Sequence, residues 1–230
     1  MKTDIAGITA EAFCAMFPPG VNVDARVIHP SYVHELLPDE AILAAGFAPA
    51  RLAEFATGRA SLRFVIERLT GRVTPVEIGQ RREPILPNGV VGSITHSAGV
   101  VAAAVAPAAV FAGIGLDMEV ASRVSVELLP SLISAREARA KPAGLECSVW
   151  LAMHFAGKEA VFKAIHPIIR RYIDFHDIEL SFSGNNFVAT PRPGEESLRR
   201  LRINGQVHLV SSWILAAAWL DASFRAQRED

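Results

Sequence analysis

Gly113-Ile114-Gly115-Leu116-Asp117-Met118-Glu119 closes an uncharged run of 18 residues, Gly99 to Leu116, with two carboxylates at i and i+2. Such a run is near the lower limit for a membrane-spanning helix. It is rich in Ala and Gly, interrupted by Pro107 and closed by Asp117, so it reads better as two buried strands, Val100–Ala106 and Val110–Leu116, joined by a turn at Pro107. Strand geometry sends alternate side chains to one face, so Asp117 and Glu119 can reach a common point. Neighbouring acids at the end of a buried strand repel each other unless a cation or hydrogen-bond donors compensate, and a hard divalent ion such as Mg²⁺ is a natural compensator. Taken alone, the pair also fits a strand end emerging into solvent.

Working outward, Pro49–Leu69 has apolar residues at helical spacing (Leu52, Phe55, Ala56, Leu62, Val65, Ile66, Leu69) and Gly71 as its stop. Arg59 and Arg63 share one face of that helix, and by themselves read as a solvated stripe. Ahead of it, Val21–Ile28 reads as a strand. Behind it come a short strand near Val76–Ile78, the polar stretch Gln80-Arg81-Arg82-Glu83-Pro84, the turn Asn88-Gly89 and the strand Val90–Thr95. Ala121–Ser131 reads as loop with a helical turn, Ser134–Ala140 as a short helix, and Ser148–Ile165 as a long helix stopped by Pro167. The remainder alternates as antiparallel sheet: Asp177–Phe182, Asn186–Ala189, Leu201–Ile203, Val207–Leu215 and Ala216–Leu220, with turns at Ser183-Gly184-Asn185 and Asn204-Gly205. The class is α+β.

The chain has 230 residues, enough for one large or two small domains. Its 23 Lys plus Arg against 24 Asp plus Glu leave a net charge of −1, which provides no basic field for nucleic acid or an anionic membrane. Cys14 and Cys147 make no disulfide framework and no metal spacing, which points to a reducing, cytoplasmic location. No secretory pattern precedes the first acidic residues.

Two further segments carry chemistry. In Phe155-Ala156-Gly157-Lys158-Glu159-Ala160-Val161-Phe162-Lys163-Ala164, Glu159 and Lys163 sit at i and i+4, the spacing of an ordinary surface ion pair. Yet two of only four lysines in the chain fall within these ten residues, and a compact ammonium is well suited to phosphate. In Gly92-Ser93-Ile94-Thr95-His96-Ser97, a strand delivers Ser93 and Thr95 on one face and His96 into the following loop. These are donors a diphosphate would use, although a lone His after a strand is more often simply a satisfied polar residue.

In this order, Arg82-Glu83-Pro84, Gly92–Ser97, Gly113–Glu119 and Phe155–Ala164 resemble the 4′-phosphopantetheinyl transferase superfamily. The nearest type is the large single-chain branch that activates nonribosomal peptide synthetases, of the enterobactin-synthase component D kind. The resemblance spans about Gly58 to Leu180, with Glu159 lying 42 residues after Asp117. Ile85-Leu86-Pro87 departs from it, since members of this type often have an aromatic before the proline.

The resemblance implies a pseudo-twofold pair of α+β subdomains, 1–112 and 113–222 with a tail at 223–230, and the active site between them. It implies transfer of the phosphopantetheine arm of coenzyme A to a serine of an apo carrier protein, releasing 3′,5′-ADP. Asp117, Glu119 and Glu159 would hold Mg²⁺, with Mn²⁺ as the alternative ion, and Glu159 would accept the serine proton. Lys158 and Lys163 would neutralise phosphate charge; His96 with Ser93 or Thr95 would bond the phosphates; Arg59 and Arg82 would reach the nucleotide and its 3′-phosphate. Such chemistry asks of a protein mainly positioning and electrostatic work. The expected partners are a carrier protein and coenzyme A, with no nucleic acid and no membrane span, and the expected state is a monomer. A carrier-binding module without activity would not need all three carboxylates, and a Mg²⁺-dependent phosphohydrolase would leave the Gly92–Ser97 segment unexplained.

Overall fold

The structure, a computed structural model, describes residues 8–79, 82–192, 198 and 202–223. Its helices are α1 (Ala10–Cys14), α2 (Pro38–Leu43), α3 (Pro49–Thr70), α4 (Leu129–Leu132), α5 (Ala135–Arg139) and α6 (Cys147–Ile169). Its strands are β1 (Asn22–Val27), β2 (Glu77–Ile78), β3 (Pro84–Ile85), β4 (Val90–Ser97), β5 (Val100–Pro107), β6 (Phe111–Val120), β7 (Ile178–Ser183), β8 (Asn186–Pro191), β9 (Ile203–Val210) and β10 (Trp213–Asp221). They form antiparallel sheets in the orders β1-β5-β4 and β6-β10-β9-β8-β7, plus the ribbon β2-β3. The α+β expectation holds, and the uncharged run is indeed two strands, β5 and β6.

Each large sheet is backed by one long helix. Helix α3 starts on Pro49, whose missing N–H would be unsatisfied there anyway, and ends on Gly71 in the left-handed region at φ 72°. Its Leu62, Val65 and Ile66 pack on Ala103 and Val105 of β5. The other face of β5, Ala102, Ala104 and Ala106, shares a core with Ile114, Leu116 and Met118 of β6, so the sheets stack through alternate residues of adjacent strands. Helix α6 covers the far side of β6 and β10 with Ala156, Ala160, Ala164, Val161 and Ile165. Burial of each larger aliphatic side chain there is worth about 1.5–3 kcal/mol.

Small residues decide how closely α6 approaches. A Cβ at Gly113 would overlap the Ala164 carbonyl oxygen, and one at Gly115 the Ala160 carbonyl oxygen. Both glycines share strand parity with Asp117 and Glu119, so the face that admits the helix backbone also carries the two acids.

Four local expectations are corrected. Pro167 does not stop α6, which continues to Ile169 and ends on Arg170 at φ 53°; Ile168 and Ile169 pack against the core and offset the backbone bond a helical proline forgoes. Asn204-Gly205 is not a turn but lies within β9, where Gly205 leaves room for the Phe187 ring. The turn is at Ser211-Ser212, with Ser211 at φ 53°, which divides the strand expected over Val207–Leu215. His96 lies in β4 opposite Val101, ahead of the Ala98-Gly99 turn, and not in a loop. Leu201, Arg81 and residues 224–230 of the expected tail lie outside the described residues.

Candidate active site

Strands β4 and β6 and helix α6 meet at the seam between the two sheets. Ser93, Thr95 and Ser97 of β4 face β6: the Leu116 N–H donates to Ser93 Oγ at 3.2 Å, Thr95 Oγ1 donates to Asp117 Oδ1 at 2.7 Å, and Ser97 Oγ lies 3.5 Å from Glu119 Oε2. From α6, Lys163 Nζ reaches Asp117 Oδ1 at 2.6 Å and the Leu116 carbonyl at 3.3 Å. Glu159, one turn earlier, shares the face of Lys163. Asp117, Glu119, Glu159, Lys163 and Thr95 are thus brought together. Ser93 and Thr95, expected on a phosphate, are buried and engaged with β6 instead.

The acids strain one another. Burial, with the Asp117 charge, pushes Glu119 up to about 7, opposed by Lys163 and by Ser97. Burial also raises Glu159, with Lys163 opposing and Asp117 assisting. Three carboxylates against the single ammonium of Lys163 leave an excess of two negative charges when all are ionised. Asp117 Oδ2 is buried with no hydrogen-bond partner among the described residues. An open carboxylate oxygen beside surplus negative charge suits a hard cation, and Mg²⁺ is commonly held by one or two carboxylates with substrate oxygens and water. Among the described residues, however, no three His, Cys, Asp or Glu side chains stand arranged to hold a metal ion. Lys163 occupies one oxygen of the expected triad.

A basic fringe lies on α3. Arg59 is 5% exposed, stacks with its Cζ 4.4 Å from the Phe55 ring centroid and donates to the Glu77 carbonyl at 3.4 Å, with Nε lacking a partner among the described residues. Burial and the repulsion of Arg51 and Arg63, against the pull of Glu40, lower it to about 10. Arg63 is neutralised by buried Glu40 and bonds the Glu35 carbonyl. The pair is therefore buried and not the solvated stripe that spacing alone suggests. Arg51 and His96 both pair with Glu54. Burial, Arg51 and Lys163 lower His96, while Asp117 opposes them, so its ring belongs to the field of the acidic centre. Arg82 is exposed in the turn between β2 and β3 at φ 67°, its N–H bonded to the Gly79 carbonyl.

Lys158 is the clear correction. It is fully buried, and Nζ donates to the carbonyls of Leu132 (2.9 Å) and Phe175 (2.7 Å) and to Glu137 Oε2 (3.0 Å), leaving no donor for a phosphate. Glu137 also accepts from the Ser134 and Leu180 N–H groups, and stands 3.3 Å from His154 Nδ1. Although burial opposes it, His154, Lys158 and these bonds hold Glu137 down at about 2. This hub ties α5, α6 and β7 together. Sequence reading missed Glu137, Glu54, Arg51 and Ser97; of these, only Ser97 carried a signal, by sharing the strand parity of Ser93 and Thr95.

The fold and this site define an α+β protein with an acidic centre at the seam of two helix-backed sheets and a basic fringe beside it. The family model described as 4′-phosphopantetheinyl transferase N-terminal domain matches residues 39–106, and that of the 4′-phosphopantetheinyl transferase superfamily matches residues 113–218. The chain is 41% identical over 149 residues to 4′-phosphopantetheinyl transferase Svp of Streptomyces mobaraensis, covering 64% of this chain and 61% of that protein. It is 32% identical over 177 residues to 4′-phosphopantetheinyl transferase Npt of Nocardia iowensis (73% and 75%), and 31% identical over 115 residues to enterobactin synthase component D of Salmonella typhi (50% and 48%). The chain belongs to the 4′-phosphopantetheinyl transferase superfamily. It spans less than two thirds of the length of Svp. Among the described residues, no helix is long and apolar enough to cross a membrane.

Proposed function

We propose that the protein is a Mg²⁺-dependent 4′-phosphopantetheinyl transferase that moves the phosphopantetheine arm of coenzyme A to a serine of an apo carrier protein, in nonribosomal peptide or siderophore synthesis. The observation that carries this reading is the junction of β6 and α6. There Asp117 has one oxygen on Lys163 and the other open, with Glu119 and Glu159 alongside.

The carrier serine oxygen attacks the β-phosphorus of coenzyme A. The new P–O bond forms as the bond to the leaving phosphate oxygen breaks, and 3′,5′-ADP departs. Glu159, with its proton affinity raised by burial, accepts the serine proton. Lys163 supplies positive charge beside the reacting phosphates. Although the three carboxylates form no ready-made cage among the described residues, the open Asp117 oxygen, with Glu119 and Glu159 alongside, would hold the metal, whose contribution when bound would be to offset charge on the diphosphate. Arg59, buried and without an acidic partner of its own among the described residues, supports an anionic ligand at α3; Arg82 and His96 are assigned to the same ligand. We assign residues 1–112 to nucleotide and phosphate contacts and 113–222 to the metal and catalytic groups, in a cytoplasmic monomer.

Incubation with an apo carrier protein, coenzyme A and Mg²⁺, followed by mass spectrometry of the carrier, tests the proposal. Transfer adds one phosphopantetheine arm and releases 3′,5′-ADP; an unmodified carrier refutes it.

A further inference from the structure

Glu54 links a half-exposed arginine and a half-exposed histidine at the edge of the seam. Its Oε1 pairs with Arg51 Nη1 on the same helix and lies 3.1 Å from His96 Nε2 on β4. The Arg51 and His96 side chains are 47% and 49% exposed, and that of Glu54 22%, so a ligand in solvent can reach all three. Around them the fringe is cationic: Arg51 repels Arg59, and Arg51 and Lys163 both act on His96, with Asp117 the opposing charge. The donors best placed to meet an incoming anion are thus engaged by a carboxylate of the chain itself.

We propose that Glu54 is an internal competitor that occupies Arg51 and His96 until a phosphate group of coenzyme A displaces it, and so sets affinity for the donor substrate. The inference rests on the coenzyme A reading above. A carboxylate offers one charge and two oxygens. A phosphate monoester offers nearly two charges and three oxygens, so it can take these donors where a weaker anion cannot. Displacement costs little because partly exposed ion pairs are weak. Binding is nonetheless reduced by the fraction of molecules in which the donors are occupied.

Isothermal titration of coenzyme A into the wild type, Glu54→Gln and Glu67→Gln tests this, with thermal unfolding as the check on folding. Glu67 is exposed on the same helix and controls for the loss of one negative charge. Glu54→Gln is expected to tighten coenzyme A binding about three- to tenfold at low salt, with the gain shrinking as salt rises, while Glu67→Gln leaves it unchanged. Unchanged or weaker binding in Glu54→Gln overturns the proposal, as does an equal gain in Glu67→Gln. Should Glu54→Gln not fold, Glu54→Ser carries the same expectation. Failure of the wild type both to bind coenzyme A and to modify a carrier overturns the donor reading and this proposal together; binding without the gain overturns this proposal alone.

Discussion

Lys163 Nζ lies 2.6 Å from Asp117 Oδ1, while Asp117 Oδ2 on the same carboxylate is buried without a partner among the described residues. The aspartate is therefore held in place by one oxygen and available through the other. Asp117→Asn removes the charge and keeps the shape. It is expected to lower carrier modification by about a hundredfold or more while leaving the unfolding temperature equal or higher, because it relieves the repulsion felt by Glu119 and Glu159. Transfer rates and thermal unfolding of the same preparation check it, and a folded variant of full activity would remove Asp117 from the chemistry.

Glu119 yields a pH prediction. Its carboxyl stands at about 7 in the folded chain against an ordinary 4.5. Between those values the folded chain keeps a proton that the unfolded chain has lost, so this group's contribution to stability falls as pH rises through the window and levels off above 7. After discounting for partial exposure, the loss is about 1–2 kcal/mol. Glu119→Gln is expected to gain that much over the wild type at pH 8 and little at pH 4.5, in denaturant titrations with a chelator present. Mg²⁺ should narrow the difference at pH 8 by stabilising only the wild type.

Replacing Lys158 separates structure from catalysis. Lys158→Met leaves Glu137 and the carbonyls of Leu132 and Phe175 buried without their ammonium, a loss of about 3–5 kcal/mol. The expected result is a large fall in unfolding temperature, with KM for coenzyme A unchanged in the fraction that stays folded. A raised KM at unchanged stability would return Lys158 to the phosphate.

Arg59 should show the opposite pattern. A guanidinium lowered to about 10 by burial and by its cationic neighbours weakens the fold at neutral pH, since it must stay charged where charge is disfavoured. Arg59→Met is expected to stabilise the protein by about 1–2 kcal/mol after the lost stacking on Phe55, while weakening coenzyme A binding roughly tenfold or more. Paired unfolding and calorimetric titrations decide it.

What the sequence made legible is what short spacing governs. Asp117 and Glu119 two apart on a strand, and Glu159 and Lys163 four apart on a helix, had to share faces, and they do. Lys158 was placed on phosphate by resemblance, and the structure turns it the other way: adjacent helical residues point about 100° apart, and while Glu159 faces the seam Lys158 is buried on Glu137 and the Leu132 and Phe175 carbonyls. Glu137 under Lys158 and Glu54 against His96 were hidden because each contact joins separate elements, with no local pattern to announce it. Asn204-Gly205 misled because a glycine required by the Phe187 ring looks, in sequence, like one required by a turn.

The glycines at 113 and 115 give the site a mechanical datum. Strand β6 and helix α6 rest backbone on backbone at Ala160 and Ala164, so the gap between Asp117 and the helix bearing Glu159 and Lys163 is fixed by main-chain radii, not by the fit of core side chains. A methyl added at either glycine would push the strand off the helix and widen the spacing of the groups proposed to act together. The register of the proposed site is thus set by main-chain contact, a datum that side-chain repacking alone does not move.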